Sequence, residues 1–119
     1  MTLWTTRVHS EADCAIWNRW PSANIGLQLT QFPGVDIDCS VQAVVDRILV
    51  LATNMLGWAP VRGRANSERV LLIYRLTRDE EPQPKVRIAF RLPGEPEKGL
   101  DGNPLQPHAV ELLGRGQQY

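Results

Sequence analysis

Sulfur, imidazole and surplus charge are all scarce in this chain. Its 119 residues include two cysteines and two histidines, and 13 Lys and Arg balance 13 Asp and Glu. Cys14 and Cys39 are too few for a disulfide framework, and with His9 and His108 they show no zinc-ligand spacing, so free, buried thiols are expected. A neutral balance excludes attraction of the whole protein to nucleic acid or acidic membranes, while leaving local clusters open. No apolar run approaches the roughly 20 residues that cross a bilayer. The opening MTLWTTRVHS lacks the basic-then-apolar order of a secretion signal, so a soluble, cytoplasmic protein with no membrane partner is predicted. There is no internal repeat, and the length fits one domain over residues 1–119.

What is present reads as mixed secondary structure. In SEADCAIWNRWP, Ser10 is a candidate N-cap with Asp13 three residues on, and Ile16, Trp17 and Trp20 follow at helical spacing before Pro21. NIGLQL and GVDID read as strands separated by a turn at TQFP. SVQAVVDRILVLATNMLG has the apolar spacing of an amphipathic helix, capped by Ser40 and ended by Gly57. WAPVRGRANSE reads as a Gly/Arg-rich loop, RVLLIYRL and KVRIAFRL as strands, residues 93–107 as a proline- and glycine-punctuated connection, and HAVELLG as a last strand. Without a regular βαβ rhythm the order predicts an α+β fold, a mixed or antiparallel sheet flanked by helices.

Two aspartates one residue apart stand out in FPGVDIDCS. On a strand, Asp36 and Asp38 would share a face roughly 6–7 Å apart and repel unless a cation joins them. Aspartates at a strand-to-helix junction also serve as caps or turn formers, and spacing alone leaves both readings open. Arg62, Arg64, Arg69, Arg75, Arg87 and Arg91 make either a solvated sheet face or one basic end of the sheet. The four tryptophans read as core or helix packing before a base-stacking platform. Glu111, between Val110 and Leu112, is by alternation an outward-facing strand residue.

The pieces WNRWPSANIGLQL, GVDIDC, LGWAPVRGRANSERVLLIYRL and AVELLGRGQQY occur in an order that resembles the archaeo-eukaryotic-type primase-polymerase domain, found in bifunctional DNA primase/polymerases of phages, prophages and plasmids. The resemblance runs from Trp17 to Gln118. It implies a primase-polymerase-like fold and nucleotidyl transfer from nucleoside triphosphates to a 3′-hydroxyl on a single-stranded DNA template. It implies Asp36, Asp38 and Glu111 as catalytic ligands of Mg²⁺ or Mn²⁺, and Arg64, Ser67, Arg69 and Arg75 as nucleotide-binding contacts. Lys85, Arg87 and Arg91 are template-backbone candidates on charge alone.

The resemblance also departs from the family pattern. Family members often carry Ser-x-His in the nucleotide motif, where this chain has Ser67 and no histidine. They also begin with a further strand and a lysine-bearing loop, and continue past GQQ with a strand and a His-Pro turn. The expected partner of an active enzyme includes a helicase domain. The alternative is a non-catalytic, primase-like remnant, a small phage-encoded binding or inhibitor protein, for example an anti-CRISPR, acting on a host nucleoprotein complex.

Overall fold

The computed structural model describes residues 10–17, 19, 22, 26–77 and 79–117, with the backbone alone at 14 and 17. Their order is α1 (Glu11–Trp17), β1 (Gly34–Asp38), α2 (Gln42–Leu56), β2 (Val61–Arg64), β3 (Ser67–Ile73), β4 (Val86–Phe90) and β5 (His108–Leu113). The strands form one sheet in the order β2-β3-β1-β5-β4, every neighbouring pair antiparallel. The fold is therefore α+β with an antiparallel sheet.

α1 begins as its sequence suggests. The Asp13 carboxylate accepts from the Ser10 N–H at 2.8 Å and from the Ser10 hydroxyl at 3.0 Å, while the Ser10 hydroxyl accepts from the Asp13 N–H at 3.4 Å, a reciprocal cap. α2 departs from expectation at its start. Val41, in an extended conformation, takes the N-cap place with no side-chain hydrogen bond, so neither Ser40 nor the preceding aspartates cap it. Its end is as expected: Gly57 takes φ 88°, a backbone angle open to glycine, and donates its N–H to the Thr53 carbonyl at 2.9 Å.

Period two sorts each strand between two faces. Val35, Ile37, Leu72 and Val110 turn to one side, where Val45, Ile48, Leu49 and Ala52 of α2 pack on them with Cys39 and Ala59. On the other side Leu71 and Leu113 are covered by Leu29, with Leu27 and Ile73 at the margin. The covering segment was expected to be a strand. Instead, residues 26–30 form no multi-residue strand, and Leu29 is tied by its N–H to the Gln117 carbonyl at 3.0 Å.

Two further expectations are corrected. The Gly/Arg-rich stretch is not a loop: Val61–Arg64 and Ser67–Ile73 form a hairpin whose turn includes Asn66 at φ 61°, with a register shift between Gly63 and Arg64. The missed signal was a two-residue Ala-Asn turn between alternating stretches, asparagine tolerating the left-handed angle. Trp58 is not core, being 81% exposed, and Trp4 and Trp20, with the Trp17 side chain, lie outside the described residues. Cys39 is a free, buried thiol as expected, and the Cys14 side chain lies outside the described residues.

Candidate functional site

The sheet register brings distant residues abreast. Arg62 on β2 stands opposite Leu71 on β3, Leu71 opposite Asp36 on β1, Asp36 opposite Glu111 on β5, and Glu111 opposite Arg87 on β4. One transverse row thus carries two facing carboxylates, whose Cβ atoms lie about 4.5–5.5 Å apart in such a pair. Asp38, two residues further along β1, shares their face and has Ala109 opposite it. Ala89 faces Ala109 in turn, and Ala109 is fully buried. This is the face opposite α2, which Leu29 covers at Leu71 and Leu113.

The charges differ in how they are met. Glu111 is mostly buried and receives Lys85 Nζ on Oε2 and Arg87 Nε on Oε1, each at 3.0 Å. Asp38 receives Arg69 Nε at 2.8 Å. The Asp36 carboxylate has no hydrogen bond or ion pair among the described residues. Its pKa is raised, first by burial, then by the charges of Asp38 and Glu111, against the opposing pull of Arg64 and Arg69.

Other expected site residues are distributed unevenly. Arg64 and Ser67 stand opposite each other at the β2–β3 hairpin, and the Ser67 hydroxyl accepts from the Arg69 N–H at 3.3 Å; Arg69 pairs with Asp38, and the charges of Arg64 and Arg69 both act on Asp36. Arg75 does not join them. It lies past the other end of β3, six residues or about 20 Å along the strand from Arg69. Arg91 donates to the carbonyl oxygens of Leu105 at 2.6 Å and Pro96 at 3.4 Å, which pins the connection between β4 and β5. Glu95 pins the same connection, bonding His108 at 2.7 Å and accepting the Leu92 N–H at 2.8 Å. Sequence reasoning missed Lys85 and Arg87 as partners of Glu111. The signal available was the alternation in KVRIAF, which puts both cations on one face.

Among the described residues, no three His, Cys, Asp or Glu side chains are grouped so as to hold a metal ion. Glu111 and Asp38 are each turned to cations. Three carboxylates nevertheless share one face, and oxygen donors of this type are those that hard divalent ions take. No helix among the described residues is long and apolar enough to cross a membrane. Compared with known proteins, the chain matches no family model, no curated protein and no solved structure.

Proposed function

We propose that the chain is a metal-dependent nucleotidyltransferase domain of the primase-polymerase type, using Mg²⁺ or Mn²⁺ held by Asp36, Asp38 and Glu111. The observation that carries this is the in-register pair of Asp36 and Glu111 with Asp38 beside them, on the sheet face opposite α2, with Arg64, Arg69, Lys85 and Arg87 around them. A bound divalent pair supplies charge neutralisation for an incoming triphosphate and for the attacking and leaving oxygens. Arg64 and Arg69, with Ser67 between them in sequence, present donors suited to phosphate oxygens at the hairpin. Lys85 and Arg87 are the basic groups nearest Glu111 and bind a template strand's phosphates once released from it. Arg75 has no part in this reading.

The full ion pairing of Glu111 and Asp38 supports a second reading, in which the charged face binds a host nucleoprotein complex without chemistry. Melting with and without millimolar Mn²⁺ separates the two. The catalytic reading expects a gain of about 1–3 kcal/mol if the metal saturates the site, smaller in Asp36→Asn and Asp38→Asn, together with labelled-nucleotide incorporation on a primed template by the wild type alone. No Mn²⁺ shift and no incorporation would leave the binding reading.

A further inference from the structure

β4 is an outermost strand: among the described residues it pairs on one side only, with β5. Its edge has no proline and no bulge between Val86 and Phe90, and Arg87 is its one charged residue. Two large apolar side chains, Val86 and Ile88, are 48% and 64% exposed there. They stand opposite Leu112 and Val110, which belong to the core under α2, so the apolar face continues outward past the helix. We propose that this edge pairs with the same edge of a second copy of the chain, antiparallel about a two-fold axis through Ile88 and perpendicular to the sheet.

Among pairings centred on residues 87 to 89, the strand's own sequence favours one register with a second copy. Such an axis joins like faces, so a residue can stand opposite only residues of its own face. Centred on Ile88, the pairing sets Ile88 against Ile88 and Val86 against Phe90 on the apolar face, and Arg87 against Ala89 on the charged face. Centred on Arg87 or on Ala89, it would set Arg87 against Arg87 or against Arg91, like charges face to face. In the chosen register Lys85 meets Arg91 just beyond the strand. Each is held within its own copy, Lys85 by Glu111 at 3.0 Å and Arg91 by the Leu105 carbonyl at 2.6 Å. The other edge, β2, offers no equivalent: Arg62 and Arg64 share a face, and every like-faced pairing centred on residues 62–64 opposes arginines. A continuous sheet results, with five strands from each copy and both carboxylate rows on one side.

Sedimentation equilibrium of the full chain is expected to give a two-chain mass. Ile88→Arg, at an exposed position, is expected to give a one-chain mass with unchanged circular dichroism. Disulfide trapping reads the register in a Cys14→Ser background, Cys39 being buried. Ile88→Cys lies on the axis, where opposed Cα atoms about 4.5–5.5 Å apart fit a disulfide, so mild oxidation links two chains. Ala89→Cys faces Arg87 and is expected to link about tenfold less. A one-chain mass for the wild type at concentrations up to about 1 mM overturns the proposal. So do equal linking at positions 88 and 89, and a folded Ile88→Arg that keeps the two-chain mass.

Discussion

At neutral pH the Asp36 carboxylate is a charge that burial, Asp38 and Glu111 all disfavour, in that order of effect, with Arg64 and Arg69 opposing. A carboxyl whose folded pKa exceeds its unfolded one binds protons more readily in the fold, so stability falls as pH rises through the window between the two values. The cost is fully present above the folded pKa and is relieved below the ordinary aspartate range. Asp36→Asn removes the charge and keeps the shape. In metal-free buffer the variant is expected to melt about 1–3 °C above the wild type near pH 7, a small gain because the site is only half-buried, and to match it near about pH 3. Calorimetric melts at both pH values check this, and a lower melting temperature near pH 7 would make Asp36 a structural group. That Asp36 and Asp38 share a face was legible from their spacing, because strand period is local. That Glu111 stands directly opposite Asp36 was not, because register depends on a pairing across about 75 residues of intervening chain.

Two glycines show how elements set limits that no motif spells out. A Cβ on Gly114 would run into the backbone carbonyl oxygen of Gln83, which already accepts the Arg115 N–H at 3.0 Å. A Cβ on Gly34 would meet Leu71 Cδ1 at 2.7 Å, the end of a side chain with torsions to adjust. Gly114→Ala is therefore expected to cost about 1–3 kcal/mol and Gly34→Ala less, as urea melts of the two variants would read. The reverse order would mean that the approach of residues 82–84 to β5 is not fixed by that carbonyl. Gly114 sits in the ELLGRGQQ stretch that contributes to the resemblance, so part of that stretch has a packing reason of its own. Strands β1, β4 and β5, β3 from Arg69 onward, and helix α2 were legible because alternation or helical spacing ran along them. β2 was not, since four exposed residues with a central glycine look like loop until β3 supplies its partner. The segment around Leu29 was misjudged for the opposite reason. Its apolar alternation is real, but it serves to cover Leu71 and Leu113 rather than to pair.

The molecule divides its sheet into an apolar side under α2 and a side shared between a small apolar cluster and the charged row, and the two halves of the second side touch at Leu71. Leu71 packs under Leu29 and stands opposite Asp36, so the Leu29 lid covers the strand neighbour of a carboxyl whose pKa burial raises. Packing and charge are thereby coupled across the face. Leu29 is fully buried, and Leu29→Ala is expected to cost about 2–5 kcal/mol, the lost transfer of its side chain plus the cavity left beside Leu71 and Leu113. Water admitted there reduces the desolvation of Asp36, so the same variant is expected to lower the Asp36 pKa toward the ordinary aspartate value, followed by carboxyl-carbon NMR titration. Ile37→Ala supplies the control, because Ile37 is equally buried but packs on the α2 side. It is expected to destabilise the fold by a similar amount and to leave the Asp36 titration in place. If both variants shift Asp36 alike, general loosening of the sheet is responsible. If neither does, the charges of Asp38 and Glu111, and not the lid, govern the carboxylate at the centre of the row.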